Sequence, residues 1–241
     1  MDYISHGGPG SGRYPKGSGK KYLKINRKTG DFTLKKGATF KRLSVYDESK
    51  AKGHAYVNYL REDVQRYRGF FGANLQRQHR GKDVQSITLT AKKDLKAPSK
   101  QTRIDTFKKL HATDKNISKE LADYHKKDWH YFTPLPRKVY EIKIRNLKGD
   151  KLIDYGYKHF VRAIGGNPYI RDAYFKELSK KGYSMVTDDL DAGKFGKAPA
   201  IIFDRNKSTK YGGQSVVSKE EIMKTWKKYG TRIKKVGDID E

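Results

Sequence analysis

The 241-residue chain contains no cysteine, which excludes disulfides, thiolate-bound zinc and cysteine nucleophiles. It is poor in acid, with 27 Asp and Glu against 54 Lys and Arg, a net charge of +27. It is also poor in apolar residues, which make up 35%, below the usual globular share. No apolar run approaches the roughly 20 residues that span a bilayer. Met1 to Gly12 holds no stretch of the kind found in signal peptides, so we expect synthesis in the cytosol and no membrane insertion. Two phosphate-binding signatures are missing as well. Neither Gly-x-x-x-x-Gly-Lys-Ser/Thr nor a Gly-x-Gly-x-x-Gly following a strand is present, which removes the usual anchors of kinase and dehydrogenase chemistry.

Metal ligands are scarce in the same sense. None of the seven histidines falls in a His-Glu-x-x-His pattern; His125 and His130, with Asp128 between them, come nearest. Asp188-Asp189-Leu190-Asp191-Ala192-Gly193 carries part of a calcium loop but lacks the terminal glutamate. It reads better as a turn between strands. We expect no metal.

What the chain does have is aromatic mass and positive charge. Its 17 Tyr and 10 Phe can close a core without many aliphatics. A surface this cationic repels itself unless counter-charge is near. Phosphates supply that counter-charge, because each one neutralised releases condensed counterions. Nucleic acid is therefore the first expected partner.

Residues 1–41 carry ten Lys and Arg and two acids, with seven glycines before residue 31. The first 37 read as a basic, glycine-rich arm, with Arg13, Tyr14, Lys16, Lys20 and Lys21 placed to grip a polyanion. Within it, Tyr22–Asn26 and Asp31–Leu34 flank Arg27-Lys28-Thr29-Gly30 as a small hairpin or an extended pair. Residues 38–217 read as an α+β domain with a mixed, mostly antiparallel sheet and about four helices. Residues 218–241 follow as a terminal helix and tail.

Strands are expected at Thr39–Val45, Ala55–Tyr59, Ser86–Thr90, Val139–Ile144, Tyr183–Thr187, Ala198–Phe203 and Gln214–Val217. Helices are expected from about Gln101 to Leu110, from a Ser118 cap through Leu121, Tyr124 and His125, and from the Asn167 cap with Pro168 to a closing Gly182. Ser218 and Glu221 form a capping box for the last helix, which bears Ile222 and Trp226. A second grip lies in residues 61–80, where Arg61, Arg66, Arg68, Arg77 and Arg80 interleave with Tyr67, Phe70 and Phe71. Guanidinium forks bind phosphate and rings stack on bases.

His6-Gly7-Gly8-Pro9-Gly10-Ser11-Gly12-Arg13-Tyr14-Pro15-Lys16-Gly17-Ser18-Gly19 resembles a leader signature of structural proteins from tailed bacteriophages. The resemblance implies a virion protein of the head or portal-tail region, made in the host cytoplasm, among other virion proteins, and contacting nucleic acid or an acidic virion surface through its basic arm. It implies no reaction.

Residues 36–217 are similar in order to phage-encoded domains of the ADP-ribosyltransferase type. Lys36 to Ser44 matches the opening strand, with Arg42 as the NAD-gripping arginine. Tyr56-Val57-Asn58-Tyr59 lies near the serine-bearing strand, and Gly182 to Asp189 followed by Lys197 to Asp204 matches the end. Asn58 stands where a serine or threonine is usual, and no Glu-x-Glu or Gln-x-Glu precedes Ala200-Ile201-Ile202. The resemblance thus implies a degenerate, repurposed transferase fold with no cofactor and no catalytic residue. NAD enters only under the alternative of an injected transferase. A further alternative is an intracellular nucleic-acid-binding or host-blocking phage protein.

Overall fold

The computed structural model describes residues 22–59, 75, 76, 78, 79, 81–127, 149–189 and 199–227. The chain forms two compact units, Met1–Ala97 with Ser184–Glu241 and, between them in sequence, Pro98–Tyr183. With helices segregated from antiparallel sheets, the class is α+β, as the sequence suggests.

The first unit is built on two sheets. The short strands β1 (Leu23–Ile25), β2 (Phe32–Leu34) and β6 (Leu95–Ala97) form a three-stranded sheet in that spatial order. The hairpin expected between Tyr22 and Leu34 is present. Its turn is fastened by Asn26, whose Oδ1 accepts from the backbone N–H of Lys28 at 3.0 Å, and by Thr29, whose Oγ1 accepts from the N–H of Asp31 at 3.2 Å. An Asn at a turn start does this because its short side chain mimics a backbone acceptor.

The larger sheet uses β3 (Thr39–Ser44), β4 (Ala55–Asn58), β5 (Val84–Ala91), β7 (Met185–Thr187), β8 (Pro199–Ile202) and β9 (Thr209–Val217), in the order β7-β8-β4-β3-β5-β9. Every pairing among the described residues is antiparallel. Alternation along the strands sets the core. Phe40, Ile87, Leu89, Ala55, Val57, Met185, Ala200 and Ile202 face one way and pack with Leu34, Leu95 and Ala97 of the small sheet. A second, smaller cluster of Leu43, Val45, Val84 and Val217 is closed by Ile222 of the terminal helix, which runs over residues 219–227. The Ser218 half of the expected capping box is present at its start, where Ser218 Oγ accepts from the N–H of Glu221 at 3.1 Å.

The second unit is helical. Its elements are α1 (Lys100–Thr113), α2 (Lys115–Lys127), α3 (Asp150–Gly166) and α4 (Pro168–Lys180). Its core is aromatic: Phe107 and Phe160 lie 4.9 Å apart between ring centroids, and Phe160 meets Tyr174 edge-on at 5.0 Å. Such pairs contribute about 0.5–1.5 kcal/mol beyond the area they bury. Helix α4 starts as expected, with Asn167 Oδ1 accepting from Ile170 N–H at 3.1 Å, and Gly182 follows its end at φ +84°.

Ser118 does not cap α2. The helix begins three residues earlier, where Asp114 Oδ1 accepts from Asn116 N–H at 3.0 Å. Ser118 instead sits inside the helix with its hydroxyl 2.9 Å from His111 Nε2. Both residues can cap, and the one next to the end of α1 takes the role. The strand expected at Val139–Ile144 lies outside the described residues. One short helix completes the first unit, α5 (Arg205–Ser208). Among the described residues, no helix is long and apolar enough to cross a membrane.

Candidate nucleic-acid interface

The small sheet has one apolar face and one cationic face. Successive residues of a strand point to opposite sides, so Leu23, Leu34 and Leu95 stack in one row toward the core. The register Lys24↔Thr33 and Thr33↔Lys96 sets the next residues side by side on the other face. Lys24 and Lys96 are exposed and Thr33 is half-buried between them. With neighbouring strands about 4.8 Å apart, the two lysine Cα atoms are about 10 Å apart. One strand of a duplex rises about that far over three nucleotides.

The connections add to this row. Arg27 and Lys28 lie on the hairpin turn, Lys35 and Lys36 follow β2, and Lys92 and Lys93 precede β6; all six are exposed. Residues 22–36 and 92–97 thus carry eight Lys and Arg against only Asp31 and Asp94. None of the eight is ion-paired with a carboxylate among the described residues; the one side-chain bond is from Lys92 Nζ to the Asn206 carbonyl, at 2.8 Å. This contrasts with cations elsewhere. Lys109 and Lys180 hold Glu177 at 2.8 and 2.5 Å, and Lys158 holds Asp154 at 3.1 Å. Asp94 serves a structural purpose, accepting the backbone N–H of Lys36 at 2.9 Å, and so aligns the two cationic connections.

The residues that the sequence singles out as a grip fall on other segments. Arg13, Tyr14, Lys16, Lys20, Lys21, Arg61, Arg66, Tyr67, Arg68, Arg77 and Arg80 all lie outside the described residues. The lysine row is hidden in the sequence because Lys24 and Lys96 are far apart along the chain and meet only through the register of a sheet whose third strand is three residues long. A faint signal existed in Leu95-Lys96-Ala97, which alternates apolar, cationic, apolar just before Pro98.

Arg42 lies on an inner strand and is occupied. Its Nη2 is 3.0 Å from Glu48 Oε1. Arg205, at the start of α5, donates from Nη1 to Glu48 Oε2 at 2.7 Å and from Nη2 to the Glu48 carbonyl at 2.6 Å. The side chains of Arg205 and Glu48 are 5% and 9% exposed, that of Arg42 22%. One buried carboxylate therefore serves two guanidinium groups, and the Nε of Arg42 is buried without a hydrogen-bond partner. The cluster binds the loop after β3 to β3 itself and to the turn before β9. Beside it, the backbone N–H of Lys207 bonded to Asp204 holds that carboxyl below the usual range. Asn58, opposite Lys41 in the register, is buried.

Among the described residues no group of three or more His, Cys, Asp or Glu is arranged to hold a metal. The chain matches no family model, no curated protein and no solved structure.

Proposed function

We propose that this chain is a nucleic-acid-contacting protein of a tailed-phage particle, binding the phosphate backbone through cationic faces of its β unit. The observation that carries the reading is the small sheet, where eight exposed cations stand without a carboxylate partner among the described residues. Like charges kept this close are costly in the free protein and become favourable once phosphates replace the missing acids. The leader resemblance supports the particle setting.

Titration of the purified chain against duplex DNA tests the binding half. With six to ten phosphates engaged, affinity falls by about 10³–10⁵ between 50 and 200 mM salt; absence of binding at 50 mM removes this half. Mass spectrometry of gradient-purified particles tests the setting, where a fixed ratio to the major capsid protein is expected. The NAD-dependent alternative draws less support, because Arg42 is engaged by Glu48 at 3.0 Å and would have to leave it to grip a dinucleotide.

A further inference from the structure

The row Lys24, Thr33 and Lys96 allows a sharper statement, which rests on the proposed binding of nucleic acid. We infer that the outer face of the three-stranded sheet tracks the phosphodiester backbone of duplex DNA without reading its bases.

Three observations support this. The row alternates ammonium, hydroxyl and ammonium across three hydrogen-bonded strands, so the spacing of its charges is set by backbone hydrogen bonds rather than by flexible loops. Secondly, the rings of this region are turned inward: Tyr22 and Phe32 pack against the core cluster. Among the exposed residues of 22–36 and 92–97 there is no aromatic side chain. Without a ring to stack on, an unpaired base gains nothing here, whereas a duplex presents the denser charge, one per about 1.7 Å of axis. Thirdly, the row itself, Lys24, Thr33 and Lys96, carries no amide, carboxylate or guanidinium group to pair with base edges; its lysines present compact point charges on flexible stems, which suit phosphates.

The test is a salt series of binding constants for the full chain on a 30-base-pair duplex, on a duplex of shuffled sequence and on a single strand of the same length. The wild type is expected to bind both duplexes equally and the single strand more weakly. Lys24→Ala with Lys96→Ala together are expected to lower the slope of log K against log salt by about 2. Thr33→Lys, which adds a charge to the row, is expected to raise it by about 1. All three positions lie on the surface face of the sheet, and circular dichroism checks that the variants remain folded.

A wild type that binds no DNA overturns the proposed function itself. A wild type that binds while the double variant and Thr33→Lys keep its slope overturns only the assignment of this face. Tighter binding to the single strand, or a difference between the two duplexes, overturns the claim that bases are not read.

Discussion

Replacing Glu48 by alanine removes the only carboxylate between Arg42 and Arg205 among the described residues. Arg205 then keeps just the carbonyl bond at 2.6 Å, with a side chain 5% exposed. Arg42 loses its Nη2 partner while its Nε already lacks one. Two cations are left together, Arg205 in a buried position and Arg42 partly exposed, so repulsion adds to lost attraction. Breaking a buried pair by removing one partner costs about 3–5 kcal/mol, about a fifth or more of the roughly 5–15 kcal/mol that holds a domain folded. At about 2–4 °C per kcal/mol for a unit of this size, melting falls by roughly 6–20 °C.

Urea unfolding and calorimetry of Glu48→Ala measure this, with Asp154→Ala as the internal comparison. Asp154 also pairs with a lysine at 3.1 Å, but the side chains of Lys158 and Asp154 are 72% and 50% exposed. An exposed i,i+4 pair contributes only about 0.3–0.5 kcal/mol. The reasoning is refuted if both substitutions cost the same small amount, because burial would then not be what gives the Glu48 cluster its weight.

Three further expectations follow from the helical unit. Hydrogen bonds from Lys109 and then Lys180 hold the Glu177 carboxyl down to about 2, from a usual 4.5; since the unfolded chain binds the proton more readily, this support is fully present above pH 4.5 and is lost as pH falls toward 2. Acid melts of wild type and Glu177→Gln should therefore differ at pH 6 and converge near pH 2, and a constant gap across that window contradicts the assignment. Gly166→Ala sets a helix-propensity gain of about 1 kcal/mol against a Cβ built 2.5 Å from the Tyr124 ring, an overpacking cost of about 1–3 kcal/mol; net destabilisation is expected in thermal melts, and a stabilised variant would mean that the ring swings aside freely. Asn167→Ala removes the cap that accepts from Ile170 N–H and should cost about 1 kcal/mol by the same measurement, an unchanged melt counting against the cap.

Local signals in the sequence were legible where one short segment decides the outcome. Asn167 with Pro168 and Gly182 bracket α4, Ser218 with Glu221 opens the terminal helix, and Asn26 to Gly30 marks the hairpin; each rests on hydrogen bonds among residues a few positions apart. The 17-residue helix α3 is not among the helices expected from the sequence, although Ile153, Tyr157, Phe160 and Ile164 recur at helical spacing. Its aromatic content and Gly156 weaken its helix propensity, and the packed rings of Phe107 and Tyr174 make up the difference. The candidate site was illegible for another reason. Cationic density can be counted from a sequence, but which lysines share a face depends on strand register, and β6 reaches β2 across 60 intervening residues.

The most direct measurement of the central claim is lysine footprinting: acetylation of the full chain with and without duplex DNA, read by mass spectrometry. Lys24, Lys28, Lys93 and Lys96 are expected to be protected by the duplex at low salt and released at high salt, while exposed Lys158 and Lys224 react equally in both. Protection of Lys158 and Lys224 with full reactivity along the small sheet would contradict the claim and place the interface elsewhere.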